Sequence, residues 1–572
     1  MVINKYLHSI FTLLLVLGHV MVLAQDYPAD YIPPVKHPIL LSGSFGELRS
    51  SHFHMGVDIK SSNGASGDAV YAVQDGFVSR IKVEAAGYGN ALYIDHPDGW
   101  TTVYAHLSAF SPALEEYVRN LQYESQNFEL DIAPADTLFM IKQGEQIGKM
   151  GNTGWSFGPH LHFELRNTAT EVAHNPMHLG FDIPDSRPPV IKRLIAYELD
   201  PRLRVRGKNG IKLKKDENLY APYADTVTLK GELSALGFSA YDPMDRSWNK
   251  NGIYKVDAWI DDQPLFRFTL DSIDFRNSYR FETHLDYHWL ATTREKAHRC
   301  YRTPADELDI YPDPLLTGLI KLYKDLSANI KILIEDFAGN ESRIDLVVKQ
   351  QGSDANLPVY PDIVLWDRAT ELKKPWLSLR FPEKSVTQDL FLYLDHGLPN
   401  EAGLIDSFFI GSYDAKPLSD FEARIPLPAA DTLLAAPWTL LWESQNGSVR
   451  NLGGEIHNDS LVVQLDRFGR FYLTQDTIAP RIKARKLKPK MNPWDQIQFE
   501  ITDNWEVSGD ARELRYTASL NGEWALFKSD LKNHRITYHF PDDMAPGYYD
   551  LRLIVRDDRD NETIFNYRFR YR

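Results

Sequence analysis

The feature that most limits what this chain can fold into is the shortness of its apolar runs. Between about residues 40 and 170 they take the form Ala69-Val70-Tyr71-Ala72-Val73, Phe77-Val78-Ser79-Arg80-Ile81-Lys82-Val83 or Ala91-Leu92-Tyr93-Ile94. Turns such as Asp75-Gly76, Gly87-Tyr88-Gly89-Asn90 and Asp98-Gly99 close them. Runs of this length bounded by Gly, Asn and Asp read as strands of an antiparallel sheet. One segment departs from the pattern. Leu114, Val118 and Leu121 recur at i, i+4 and i+7, which predicts an amphipathic helix over 112–123. The supply of 28 Phe, 29 Tyr and 12 Trp also suits a chain that is mainly β.

At 572 residues the chain is too long for one domain. A weak internal repeat helps to divide it. Asp185-Ser-Arg-Pro-Pro189-Val-Ile191 resembles Asp476-Thr-Ile-Ala-Pro480-Arg-Ile482, and Ile334-Glu-Asp336-Phe-Ala-Gly-Asn340-Glu341 resembles Val555-Arg-Asp557-Asp-Arg-Asp-Asn561-Glu562. Each pair opens or closes a strand-rich unit, the Pro leading into a first strand and the Asp and Asn making a tight turn before the last. The expected organisation is a first domain at 25–183 with a helical insertion near 112–136, and an immunoglobulin-like β-sandwich at 184–352 with an insertion near 275–325. A β domain of unassigned type at 353–475 and a second immunoglobulin-like β-sandwich at 476–572 complete it. The Asp-rich turns 335–340 and 556–561 have a composition that suits calcium and equally suits ordinary tight turns. The second reading is the simpler one.

The first 24 residues read as a signal peptide. Lys5 precedes the apolar run Ile10–Leu17, and Val22 and Ala24 stand at the −3 and −1 positions before Gln25. No later stretch is long and apolar enough to span a bilayer. A single cysteine, Cys300, excludes an internal disulfide framework and a cysteine-based metal site. A formal net charge of −15 argues against a nucleic-acid partner.

Three segments carry ligand-type residues: His52-Phe-His54-Met-Gly56-Val-Asp58, Thr102-Val-Tyr104-Ala-His106-Leu107 and His160-Leu-His162-Phe-Glu164-Leu165. The third alternates strictly. On a strand it places His160, His162 and Glu164 on one face and Leu161, Phe163 and Leu165 on the other. The same rule puts Thr102, Tyr104 and His106 on one face. Gly56 is expected to permit a sharp backbone path that brings His54 and Asp58 to one point. Two His and one carboxylate form a known catalytic zinc set that leaves a position for water, and spare histidines can move protons near neutral pH.

These motifs resemble the lysostaphin-like, or LytM-type, zinc metalloendopeptidases of bacterial cell walls: HxxxD at His54 and Asp58, YxHL at Tyr104–Leu107, and HxH within Gly151-Asn-Thr-Gly-Trp-Ser-Phe-Gly-Pro-His160-Leu-His162-Phe-Glu164. The resemblance runs from Gly43 to Arg166 and includes Phe45-Gly46, Gly87-Tyr-Gly-Asn90 and Lys142-Gln-Gly144-Glu-Gln-Ile-Gly148. It implies an antiparallel β catalytic domain built as a duplicated hybrid motif. It also implies Zn2+ held by His54, Asp58 and His162, with His106 and His160 as the catalytic pair. His52 is the rival of His54, and the HxGxD spacing selects His54. The implied substrate is the peptide cross-link of peptidoglycan, and the implied location is the periplasm, the cell envelope or the exterior.

The sequence departs from the family in one stretch. An insertion holding the predicted helix follows His106 directly, and from that position it is expected to wall the substrate groove. The rival reading is a catalytically silent, wall-binding activator or scaffold for another hydrolase, working through a protein partner on the C-terminal β domains. Some relatives have lost ligands in this way, whereas all five residues stand here. His96 is read as structural, and His284-Leu-Asp-Tyr-His288 lacks the Glu of a helical zinc motif.

Overall fold

The structure, a computed structural model, describes residues 27–49, 51–231, 233–351, 361–398, 405–411, 413, 415–428 and 437–572. The expected signal peptide and the expected boundary at 352/353 lie outside the described residues. Strands dominate, and the fold is mainly β. Among the described residues no helix is long and apolar enough to cross a membrane.

The first unit is built on β1 (Leu41–Gly43), β2 (Val57–Lys60), β3 (Ala69–Tyr71), β4 (Gly76–Val83), β5 (Asn90–Asp95), β6 (Trp100–Ala105), β7 (Ala109–Phe110), α1 (Pro112–Ser125), β8 (Leu130–Ile132), β9 (Met140–Ile141), β10 (Gln146–Lys149), β11 (His160–Asn167) and β12 (Ala173–His174). Its main sheet runs β1-β2-β11-β6-β5-β4-β8, and β3, β10 and β7 form a small second sheet. All these pairings are antiparallel.

The central position of β11 brings the motifs together. Its neighbours are β2 on one side and β6 on the other. In register, His162 stands opposite Asp58 on β2 and opposite Ala105 on β6. Residues directly opposite share a face, so the ladder itself carries His162 to Asp58. The alternate residues Leu161, Phe163 and Leu165 are fully buried in the core. Phe163 lies opposite Tyr104, with ring centroids 5.4 Å apart. Burying such a side chain contributes about 1.5–3 kcal/mol, which anchors β11 and β6 by the face away from the histidines.

The helix α1 begins with Pro in its first turn, where the missing N–H costs nothing, and ends at Gln126 with φ 49. It buries Leu114 and Val118.

Downstream, two sheets enclose residues 190–350, one around Val190–Leu199 and Leu233–Pro243, the other around Ser327–Glu335 and Glu341–Gln350. This unit is tied to the first. Strand β12 pairs with Ser272–Ile273, and one continuous apolar core runs from Tyr31 to Val348. Separate cores gather residues 364–473 and residues 491–571. Among the described residues of 275–325, the insertion forms the 3-10 segment Phe275–Thr283 and the short helix Tyr287–Thr293. Cys300 is buried there, and burial pushes its thiol pKa up.

Candidate metal and catalytic centre

Three donor atoms meet at the junction of β2, β11 and the segment before β2. His54 Nε2 and His162 Nδ1 each lie 3.0 Å from Asp58 Oδ1 and 3.0 Å from each other. All three residues are buried. In each, the remaining polar atom is occupied by a partner that fixes its role. His54 Nδ1 lies 2.8 Å from the Ser44 carbonyl. A carbonyl only accepts, so Nδ1 carries the hydrogen and Nε2 presents a lone pair. His162 Nε2 donates to Glu164 Oε1 at 2.8 Å, which frees Nδ1. Asp58 Oδ2 accepts from Arg49 at 2.7 Å, which leaves Oδ1 for the cluster.

A further layer holds Glu164 in turn. Tyr88 OH donates to Glu164 Oε1 at 2.6 Å, and Arg166 donates to Oε2 at 2.6 Å. Burial alone would raise the Glu164 carboxyl, but Arg166, His162 and Tyr88 outweigh it and hold it at about 2. Burial likewise works against a charged His162, yet the hydrogen bonds to Asp58 and Glu164 lift it to about 9. Asp58 is pulled well below the carboxylate range by His54, His160 and His162 in spite of its burial. The cluster therefore concentrates negative charge on two carboxylates and points three donor atoms at one place.

That donor set suits zinc. Imidazole and carboxylate ligands held tetrahedrally about 2.0–2.1 Å from the ion stand roughly 3.3 Å apart, close to the 3.0 Å seen here. The carboxylate behind His162 is the partner that metal-bound imidazoles usually have. Replacing it should show in affinity: Glu164→Gln is expected to weaken zinc binding about 10–100-fold, measured by competition with a chromogenic chelator.

His106 and His160 flank the cluster. Their rings lie 4.8 Å apart, and the His106 ring lies 5.8 Å from that of His162. His106 Nδ1 donates to the Thr153 carbonyl at 2.9 Å, and His160 Nδ1 donates to the Gly158 carbonyl at 2.8 Å. Each Nε2 is left as an acceptor, and His160 Nε2 stands 3.4 Å from Asp58 Oδ1. Burial, with His160 and His162 nearby, lowers His106 to about 3 and keeps it neutral.

Two of the sequence expectations need correcting. His106 does not share a face with Thr102 and Tyr104. Tyr104 faces the core beside Phe163, and its hydroxyl accepts from the Val73 N–H. Strand β6 ends at Ala105, and His106 adopts φ 61. That left-handed step carries its ring to the histidine side, where Val103 and Ala105 pack with Tyr88. Gly56 is also needed for a different reason. It has no positive φ; instead a Cβ there would lie 2.4 Å from the Phe163 carbonyl. Close approach of β2 to β11 requires the glycine.

The other readings are simply located. His52 is exposed beside Ser51. His96 is buried between the Asp75 carbonyl and the Thr102 hydroxyl. His284 meets Tyr311 and His298 at 2.9 Å each. Arg49, Tyr88, Arg166 and the Thr153 carbonyl were not singled out from the sequence. Of these, Arg166 could have been found by extending the alternation one step past Glu164.

Glu115, Val118 and Gln122 of the insertion helix border a cavity of about 170 Å³ together with Thr153 and with Lys528, Ser529, Asp530 and Lys532 of the C-terminal unit, and none of the five ligand-type residues lines it. Tyr123 meets Trp524 with centroids 5.3 Å apart, and Lys532 Nζ donates to the carbonyls of Asn152 and Ser156 at 2.6 and 3.0 Å. The C-terminal unit thus touches both the helix and the loop that carries the carbonyl partner of His106.

A mainly β domain thus carries a buried His-Asp-His cluster with two further histidines beside it. The profile of Peptidase family M23 matches residues 52–123 and 135–176, and this part of the chain is a LytM-type domain of that family. Among curated relatives, the DD-carboxypeptidase/endopeptidase Mpg of Neisseria meningitidis serogroup B (strain ATCC 13091 / M2091) is 34% identical over 138 residues, 24% of this chain and 25% of that protein. The murein hydrolase activator NlpD of Escherichia coli (strain K12) is 32% identical over 122 residues, 21% of this chain and 24% of that protein. The chain thus spans about a quarter of the length of these curated relatives. Among solved structures, the catalytic domain of the antimicrobial peptidase lysostaphin from Staphylococcus simulans is 23% identical, with a TM-score of 0.19, over 24% of this chain and 90% of that one.

Proposed function

We propose that this chain is an exported zinc metalloendopeptidase, acting in the periplasm or cell envelope, that hydrolyses peptide cross-links of bacterial peptidoglycan. The observation that carries the reading is the triangle of His54 Nε2, Asp58 Oδ1 and His162 Nδ1, 3.0 Å on each edge, with two neutral-capable imidazoles beside it. His54, Asp58 and His162 would hold the metal. Zinc at this point supplies Lewis acidity, making water acidic near neutral pH and polarising a carbonyl.

The remaining work falls to the chain. His106 Nε2 accepts the proton of the attacking water, and its Nδ1 bond to the Thr153 carbonyl keeps the ring in the tautomer that can do so. His160, the more exposed of the pair, stands beside His106 with its Nε2 3.4 Å from Asp58 Oδ1, where it would orient the substrate carbonyl and water. The leaving amine takes the proton back from the same pair.

Trp155 and Phe157 stand largely exposed on the loop between β10 and β11. Exposed aromatic rings five and three residues before His160 offer a surface for substrate peptide. The double replacement Trp155→Ala with Phe157→Ala is expected to raise KM about tenfold, roughly 1.4 kcal/mol. kcat and zinc content should stay unchanged, as read from initial rates on solubilised cross-linked fragments.

The relative named as an activator supports a second reading, a silent partner of another hydrolase. The complete five-residue set weighs against it. The test is direct: mature protein should release soluble fragments from purified peptidoglycan, a chelator should stop release, and added zinc should restore it. Zinc binding without release would favour the activator.

A further inference from the structure

Outside the histidine cluster, carboxylates come together in two places among the described residues. Asp185, Asp242 and Asp336 place ligand oxygens within 4.8 Å of one another, and so do Asp476, Asp503 and Asp557. The two clusters are copies. Asp185 and Asp476 lead into the strands Val190–Leu199 and Arg481–Lys486. Asp242 and Asp503 lie at the ends of Leu233–Pro243 and Gln496–Thr502. Asp336 and Asp557 follow Ser327–Glu335 and Gly547–Arg556.

The hydrogen bonds repeat as well. Asp336 Oδ1 accepts from the Asn340 N–H at 2.9 Å, and Asp557 Oδ1 from the Asn561 N–H at 2.9 Å. The side chains of Asn340 and Asn561 return to Asp336 Oδ2 and Asp557 Oδ2 at 2.9 and 2.8 Å and also donate to the carbonyls of Asp185 and Asp476. The Ser342 and Thr563 hydroxyls donate to the Pro189 and Pro480 carbonyls, both at 2.6 Å.

Turn geometry explains those bonds, but it leaves other atoms unexplained. Asp242 is 4% exposed, and its Oδ1 is buried without a hydrogen-bond partner. Asp476 is fully buried, and its Oδ2 is likewise unpartnered, as are both carboxylate oxygens of Asp503. Asn251, directly across the ladder from Asp242, has both side-chain polar atoms buried and unpartnered. An unpaired buried carboxylate oxygen is costly, and here the same cost arises twice at the same place. Burial first, then the neighbouring carboxylates, pushes Asp242 up to about 9 and Asp503 to about 6. A cation removes the penalty in both copies. Carboxylate and carbonyl oxygens without nitrogen or sulfur suit a hard ion, and a flexible set of several carboxylates suits calcium better than magnesium.

Both clusters sit where units join. The first borders a cavity of about 230 Å³ shared by Phe45 and Phe181 of the first unit and Tyr254 and Phe337 of the following unit. At the second, Arg559 donates to the carbonyls of Trp438 and Gly454, and Asn451 donates to Asp558 Oδ1 at 2.9 Å, which joins the unit before it. We propose that each Asp triad binds one calcium ion and that the two ions brace the entry of each β-sandwich against the unit that precedes it.

Equilibrium dialysis of the full mature chain, stripped with EGTA, against radiolabelled calcium tests this. The expected result is two ions bound per chain. Asp185→Asn and Asp503→Asn change half-buried side chains and preserve shape; each is expected to bind one, and the double variant none, with circular dichroism confirming the fold. Should a variant fail to fold, the stoichiometry of the unaltered chain still decides. No bound calcium at millimolar concentration overturns the proposal, as does unchanged stoichiometry in folded variants.

Discussion

Replacing Asp58 with Ala or Asn is expected to abolish zinc binding and, with it, all hydrolysis. Asp58 Oδ1 is the shared vertex of the donor triangle, 3.0 Å from both histidine nitrogens, and Oδ2 is held by Arg49. The Ala variant also removes the counter-charge of the half-buried Arg49 and of the buried His162. Breaking a buried charge pair from one side costs about 3–5 kcal/mol, so its thermal midpoint should fall as well. Asp58→Asn separates the two effects, because it keeps the shape and most of the hydrogen bonding while losing the anionic ligand. Metal analysis after dialysis should find no zinc in either variant, with the Asn form close to the parent in stability. Zinc retained at one ion per chain in the folded Asn variant would remove Asp58 from the ligand set.

The second large effect is expected at His106, and it has the opposite signature. His106→Ala should keep its zinc and lose about 10²–10⁴ in kcat, the usual contribution of a positioned general acid or base. His106 touches the cluster only through ring contacts, and its Nδ1 is committed to the Thr153 carbonyl. The backbone complicates the Ala variant. His106 has φ 61, where Ala is strained by roughly 1–2 kcal/mol. His106→Asn is the better control, since Asn tolerates that conformation, and it should lose as much activity with little loss of stability. A kcat within threefold of the parent would leave His160 as the sole proton carrier.

Much of this site could be read from the sequence because strand periodicity is rigid. The run from His160 to Leu165 alternates, and the structure places Leu161, Phe163 and Leu165 in the core and His162 with Glu164 on the other face. The same rule failed at His106 for a physical reason: the strand ends one residue earlier, and a left-handed residue does not continue the alternation. At Gly56 the residue was recognised but not its purpose, since close approach to a neighbouring strand depends on a partner distant in sequence. Long-range partners were the general blind spot. Arg49 behind Asp58, Tyr88 behind Glu164 and Lys532 on the loop of Thr153 are set by tertiary packing, which no local pattern encodes. The Asp-rich turns show the reverse case. Each turn alone reads as ordinary, and only the third carboxylate, from a different strand, makes the cluster.

The most direct test of the central claim is the mass of the products formed from a defined cross-linked muropeptide dimer by zinc-loaded mature protein. The account predicts two fragments that together equal the dimer plus one water, with a new amine and a new carboxyl at a peptide bond, and none with His106→Ala. A dimer left intact by the zinc-loaded parent protein, or cleavage at a glycosidic bond, would contradict it.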